Sequence, residues 1–108
     1  MPGYTVENKD GTCRVSLAGD LTAALVPALQ QELKAAVAGG ATGVIFDLGG
    51  TVMLDSSGIG LLMAATNSLR AKGGRVRVVN VSADIFRLLQ SMRLTARLDV
   101  SVRAGEDS

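Results

Sequence analysis

Hydrophobic residues occupy every second position in residues 4–6 and again in residues 13–17, on either side of the polar stretch Asn8-Lys9-Asp10-Gly11. A period of two is typical of a strand that buries one face. Asn, Asp and Gly favour the turn between two such strands. The pattern therefore predicts a β-hairpin at the start of the chain.

The hydrophobic period changes after this hairpin. Residues 20–25 have the composition of a loop, and Pro27 follows in the first turn of a predicted helix, where its missing N–H costs nothing. Apolar residues then recur at helical spacing until Gly39-Gly40 ends the helix. These residues are Leu29, Leu33, Ala36 and Val37.

Three short apolar runs, residues 44–48, 76–81 and 98–102, predict further strands, and the first of them is typical of a buried central strand. Helices are predicted between them. The helix over residues 59–69 has Ser56 or Ser57 as its cap. Its first two turns are apolar almost all round, so we expect protein to cover most of it. A third helix, capped by Ser82, carries Ile85, Leu88, Leu89 and Met92.

The element order β-β-α-β-α-β-α-β predicts an α/β fold. Its sheet is mixed but mostly parallel, is opened by the N-terminal β-hairpin, and carries the helices packed on it. We expect one domain over residues 1–108, with a core at about 4–102 and a frayed C-terminal tail.

Composition narrows the possible functions of this 108-residue chain. The net charge of +1 and the aromatic content of 3% argue against nucleic acid as a direct partner. The absence of His disfavours hydrolases and most zinc sites, and we expect no metal or cofactor. The only cysteine, Cys13, is expected to be buried. No signal peptide or membrane span is evident, which predicts a cytoplasmic protein without membrane insertion.

The segment Leu54-Asp55-Ser56-Ser57-Gly58-Ile59-Gly60 precedes the apolar second helix and is the most unusual turn of the chain. One interpretation is a helix cap with glycines for close packing. The other is a modification site, because a single cap does not need two serines and an aspartate. A phosphoserine at a helix N-terminus would be compatible with the fold, yet its charge would stand beside Asp55. Burying that charge under a partner would be unfavourable.

With this motif, residues 4–102 resemble a STAS domain, the module of bacterial anti-sigma factor antagonists. Asp47-Leu48 and the segment from Leu54 to Leu61 resemble the family's diagnostic motif, in which the hydroxyl residue directly after the Asp is phosphorylated. That residue is Ser56. The Gly19-Asp20-Leu21 stretch and the Gly73-Gly74 pair before a Val-rich strand are also similar to family elements.

The resemblance implies partner switching. The unphosphorylated antagonist binds an anti-sigma factor that is usually a serine kinase, and thereby frees a sigma factor. Phosphorylation breaks the complex, and a serine phosphatase restores it. Under this resemblance the protein would be a substrate and a ligand, and not an enzyme. Apart from the resemblance, we expect a monomer or a weak dimer.

The expected partner face combines the loops around Asp20 and Asp55. Its candidate residues are Asp20, Thr22, Met53, Asp55, Ser56, Ser57, Gly58 and Ile59, the last only if its side chain is exposed. Met53, Met63 and Met92 fit core filling best, although Met53 lies near enough to the motif to contact a partner. Two positions depart from the family pattern: Thr22 stands where an Asp is frequent, and Arg93 where a Gly often follows the third helix.

Three other functions compete with this one. A response-regulator receiver with Asp47 as phosphoacceptor is disfavoured, because Asp20 is solitary and no Lys follows a late strand. Nucleotide binding at Gly58-Ile59-Gly60 is disfavoured by Met63, where close helix packing needs a small residue. The third is harder to exclude, because the same fold serves as an accessory subunit of lipid or anion transporters, or of signalling complexes that do not control sigma factors.

Overall fold

The alternating segments form strands and the helically spaced segments form helices in the computed structural model, which describes residues 3–104. In chain order the elements are β1 (Tyr4–Lys9), β2 (Thr12–Leu17), α1 (Val26–Ala38), β3 (Gly43–Asp47), α2 (Ser56–Ala71), β4 (Arg75–Val81), α3 (Ala83–Ser91) and β5 (Asp99–Val102). This is the predicted order, so the α/β fold is confirmed. The tail expected to be frayed, residues 105–108, lies outside the described residues.

The five strands form one sheet in the sequential order β1-β2-β3-β4-β5. β1 is antiparallel to β2, and every other neighbouring pair is parallel. Each parallel connection carries a helix to the next strand along. Since such crossovers are right-handed, all three helices lie on the same face of the sheet. No helix formed by residues 3–104 covers the opposite face.

The hairpin turn is shorter than predicted. β1 and β2 pair as far as Lys9 and Thr12, so only Asp10 and Gly11 form the turn. Both have positive φ, 52° and 81°, as a two-residue hairpin turn with the twist of the flanking strands requires. Asp and Gly tolerate that conformation, whereas Asn8 belongs to β1.

The core lies between the helices and one face of the sheet. Val15, Phe46 and Val78 from three adjacent strands are completely buried. Each helix contributes a completely buried leucine: Leu29, Leu62 and Leu89. Cys13 is buried among them, as predicted. β3 is the central strand, but its alternate residue Ile45 is only half-buried because none of the helices in the described part of the chain covers the other face.

Helix α2 is less covered than its apolar composition predicts. Seven of its sixteen residues are buried, whereas Gly60 and Ala64 on its outer side are exposed. The exposed apolar positions in the first turns are therefore occupied by very small residues. Arg93, which follows α3 where the resemblance leads us to expect a glycine, adopts a left-handed φ of 61°.

Candidate functional site

Two loops meet at the carboxyl edge of the sheet, and together they form the surface that we call the loop pair: residues 18–25 after β2 and residues 48–55 after β3. Leu21 N–H donates to the Met53 carbonyl at 3.1 Å, and Asp55 N–H donates to the Leu21 carbonyl at 3.2 Å. Thr51 Oγ1 donates to the Gly19 carbonyl at 2.8 Å. The loops lie side by side because β2 and β3 are adjacent and parallel.

Two aspartates brace the loop pair. Asp20 Oδ1 accepts hydrogen bonds from Val52 N–H at 3.1 Å and Met53 N–H at 2.9 Å. Asp55 Oδ2 accepts from Ala23 N–H at 3.0 Å. Each carboxylate therefore holds the loop that carries the other one. Asp20 and Asp55 were both predicted to belong to the partner face, and the structure brings them to one surface.

Asp55 also begins helix α2. Its extended backbone makes it the N-cap, and its Oδ1 accepts from Gly58 N–H at 2.9 Å. The prediction that Ser56 or Ser57 caps the helix is therefore wrong, because these serines are already its first two helical residues. The backbone N–H groups of Gly58, Ala23 and, more weakly, Ser57 lower the pKa of Asp55. The carboxylate is thus charged at neutral pH.

Ser56 and Ser57 are exposed at the start of α2, whereas the next two residues are buried. A Cβ at Gly58 would lie only 2.7 Å from the Leu21 carbonyl oxygen, so this glycine lets α2 approach the loop. Ile59 is 9% exposed and belongs to the core. Ile59 was expected to contact a partner only if its side chain were exposed, and this side chain is buried. Gly58 and Ile59 therefore both serve packing.

The tip of the second loop exposes two apolar side chains, Val52 (81% exposed) and Met53 (61% exposed). The interpretation of Met53 as core filling is wrong, as it is for Met92. Val52 escaped the sequence analysis because a single valine in an aperiodic loop carries no signal of exposure. Thr22 is half-buried in the first loop, and its carbonyl accepts from Leu25 N–H at 3.0 Å.

Asp47 supports the loop pair from the end of β3. Its carboxylate pairs with Arg14 at 2.6 Å and accepts from Gly49 N–H at 2.9 Å. Burial alone would raise the pKa of Asp47, but the hydrogen bonds from Gly49, Arg14 and Asn80 outweigh it and lower that pKa. The structure thus places Asp47 as a residue that anchors the turn after its strand.

Within residues 3–104, no cluster of three or more His, Cys, Asp or Glu side chains is placed to hold a metal ion. None of the helices in this part of the chain is long and apolar enough to cross a membrane.

A family model described as "Mlab, STAS domain" matches residues 4–101 of the sequence. The chain belongs to the STAS domain family. The matched region contains the whole loop pair and the start of α2, so the resemblance seen in the Asp55-Ser56-Ser57-Gly58 segment is confirmed for the family.

Solved structures of anti-sigma factor antagonists superimpose on the chain. The anti-sigma factor antagonist SpoIIAA in its unphosphorylated form is 26% identical, with a TM-score of 0.71 and coverage of 81% of each chain. An anti-sigma factor antagonist from Mycobacterium paratuberculosis is 28% identical, with a TM-score of 0.78 and coverage of 91% of this chain and 83% of that one.

A transporter-associated relative shares the fold at lower identity. A sulfate transporter family protein from Wolinella succinogenes is 15% identical, with a TM-score of 0.77 and coverage of 91% of this chain and 82% of that one. No curated protein matches the sequence significantly. At this identity the Wolinella protein shows a likeness in fold alone.

Proposed function

We propose that this STAS domain is an anti-sigma factor antagonist that acts by partner switching. Its unphosphorylated form binds an anti-sigma factor that is also a serine kinase, and so releases a sigma factor. Phosphorylation of Ser56 abolishes binding, and a serine phosphatase restores it. One observation carries the proposal: Ser56 is exposed at the first position of α2, directly after Asp55 and beside the braced loop pair.

The position of Ser56 makes phosphorylation compatible with the fold. Its side chain is exposed, so a phosphate would displace no core residue. The first turn of a helix has free N–H groups and the positive end of the helix dipole, both of which favour an added negative charge. The phosphorylated protein therefore stays folded.

The same phosphate would oppose a bound partner. It adds about −1.5 to −2 charges next to Asp55, which is already ionised. In the free protein, water and ions screen the repulsion between the two groups. A partner that covers Ser56 removes this screening, so the charge pair becomes unfavourable only in the complex.

The loop pair has the features of a protein-binding surface. Val52 and Met53 expose apolar side chains at the tip of the second loop, and the exposed residues Ser56 and Ser57 follow at the start of α2. Thr22 adds a half-buried hydroxyl in the first loop. Protein interfaces commonly combine apolar and polar side chains. The bonds to Asp20 and Asp55 hold the surface in one conformation before binding, which lowers the entropic cost of association.

In this proposal the protein is a kinase substrate and a ligand in the cytoplasm, not an enzyme, and ATP belongs to the kinase. The two anti-sigma factor antagonists at 26% and 28% identity support it. The Wolinella protein supports the fold alone. The alternative function is that of an accessory subunit of a lipid or anion transporter, or of another signalling complex. The identity of the isolated partner distinguishes this alternative from the antagonist.

The test compares Ser56→Ala with Ser56→Asp, and uses Ser57→Ala and Ser57→Asp as the matched pair one residue further on. Ser56→Ala is used to isolate the partner, and dissociation constants are then measured by calorimetry. We expect Ser56→Asp to bind at least about tenfold more weakly than Ser56→Ala, a difference of about 1.4 kcal/mol. The two Ser57 variants should differ less.

Equal affinity of Ser56→Ala and Ser56→Asp for the isolated partner would rule out the switch. If the partner isolated with Ser56→Ala is a transporter subunit and not an anti-sigma factor of the kinase type, the protein is an accessory subunit and not an antagonist. All four variants should give native circular dichroism, because both serines are exposed.

A further inference from the structure

A groove of about 680 Å³ runs between helices α1 and α2, away from the loop pair. Its α1 wall includes Leu33 and Val37, and its α2 wall extends from Leu61 to Lys72. Val44 of β3 lies at its floor. Neither the loop-pair residues nor Ser56 line it, so the groove has no part in the function proposed above.

The exposed part of the α2 wall is built mostly from small residues. Val44, Leu61 and Leu69 also line the groove, but they are at most 4% exposed and offer little apolar surface to a ligand. By contrast, Ala64, Ser68 and Ala71 along α2 are exposed. Small side chains at such spacing on a helix allow the ridge of another helix to approach closely. The shape therefore suits a helix better than a compact ligand.

The charges on the groove have one sign. Lys34 projects from the α1 wall, and Lys72 is the C-cap residue of α2 at one end. No Asp or Glu lines the groove among residues 3–104, and neither lysine forms an ion pair in this part of the chain. Two copies of this chain meeting symmetrically here would place lysines against lysines, which argues against a homodimer through this face.

We propose that the α1–α2 groove is a second docking site, which binds an acidic amphipathic helix of a partner protein. The apolar face of that helix packs on Leu33, Val37 and Ala64. Its Asp or Glu residues pair with Lys34 and Lys72. Positive rim charges around an apolar groove select this chemistry because an acidic helix neutralises them while burying apolar surface.

The charged end of the groove lies far from Ser56, although the α2 wall begins at Leu61, about 7.5 Å along the helix axis from Ser56. With a rise of 1.5 Å per residue, the axis of α2 extends about 24 Å from Ser56 to Lys72. The phosphate on Ser56 would therefore lie well beyond a Debye length from Lys72 in physiological salt. We expect the pairing of a partner with Lys72 to be the same whether or not Ser56 carries a phosphate.

The experiment places a photocrosslinking amino acid, p-benzoylphenylalanine, at Gln30, which lies on the rim of the groove and is exposed. The full chain carrying it is irradiated in its native cells, and mass spectrometry identifies the crosslinked peptide. We expect a peptide with apolar residues at helical spacing flanked by Asp or Glu. Its yield should fall at least tenfold in Lys34→Glu/Lys72→Glu and stay unchanged in Ser56→Asp.

A charge exchange completes the test. Replacing the acidic residues of the crosslinked peptide by Lys should restore its binding to Lys34→Glu/Lys72→Glu, whose native fold is checked by circular dichroism. The proposal is overturned by the absence of a crosslink, by a crosslink to a second copy of this chain, or by a yield that the two charge reversals leave unchanged. Because Ser56→Asp is measured in parallel, this result is independent of the switch.

Discussion

Asp20 and Asp55 each accept backbone hydrogen bonds from the loop that carries the other. Asp20 holds Val52 and Met53, and Asp55 holds Ala23 while it also caps α2 through Gly58. Backbone N–H groups, rather than arginine or lysine side chains, satisfy both carboxylates in these bonds. In these bonds the bracing of the loop pair therefore does not depend on an arginine or lysine side chain.

Removing the Asp20 brace should loosen the second loop while preserving the fold. In Asp20→Ala, the N–H groups of Val52 and Met53 lose their acceptor but are free to bond to water, because both residues are exposed. We expect hydrogen exchange of these two amides to accelerate at least tenfold, with little change in the exchange of core amides. Glu7→Ala, at an exposed position in β1, is the control. Unchanged exchange at Val52 and Met53 would mean that Asp20 does not hold the loop.

Two glycines of α2 should respond in opposite directions to alanine. Gly58→Ala places a methyl group 2.7 Å from the Leu21 carbonyl oxygen and should destabilise the protein by about 1–3 kcal/mol. A Cβ at Gly60 meets nothing within 4 Å, so Gly60→Ala should stabilise it by about 0.5–1 kcal/mol through helix propensity. Urea unfolding measures both. Similar changes for the two variants would contradict the close contact of α2 with the first loop.

The stability of the protein should decrease in acid. The pKa values of Asp47 and Asp55 are lowered in the folded state from their ordinary value of 3.8. Their stabilising contribution is therefore complete above that value, and it is lost as the pH falls through the lower folded-state pKa values. Because of these two groups, the free energy of unfolding measured in urea should be similar at pH 7 and pH 5 and lower at pH 3.

The variant Asp47→Asn isolates one of these two carboxylates. Because it cannot ionise, the decrease in its free energy of unfolding between pH 7 and pH 3 should be smaller than that of the unmodified protein. Parallel pH profiles for the two proteins would show that the bonds from Arg14, Asn80 and Gly49 to Asp47 add no stability.

The exposed apolar side chains of the loop pair should matter for binding and not for folding. Val52→Ser changes a side chain that is 81% exposed, so the unfolding midpoint should shift little. If this side chain is buried under the partner of the Ser56→Ala variant, the dissociation constant should rise about tenfold or more. Met92→Ser, which alters an exposed apolar residue at the C-terminal end of α3, is the control. Equal effects of the two substitutions would remove Val52 from the interface.

The fold was largely predictable because each strand and helix carries its own hydrophobic period. What could not be predicted depends on neighbours distant in the sequence. Ile45 belongs to a continuous apolar run that is equally compatible with one or two covered faces. Only the sequential strand order, which puts every helix on one face, leaves it half-buried.

The site was predicted by residue type but not by geometry. Asp55, Ser56 and Ser57 are all good capping residues, and local sequence does not choose among them. The choice falls on Asp55 because its backbone N–H pairs with the Leu21 carbonyl in the other loop, which holds Asp55 outside the helix. With the start of α2 fixed there, its helical period turns Ile59 towards the core.

The most direct measurement is phosphosite mapping by peptide mass on the protein recovered from its native cells with phosphatases inhibited. Phosphate on Ser56, and none on Ser57, is the expected result, since the residue directly after Asp55 is the proposed acceptor. An unmodified Ser56 under several growth conditions would contradict the switch, and would leave the loop pair as the surface of a constitutive accessory subunit.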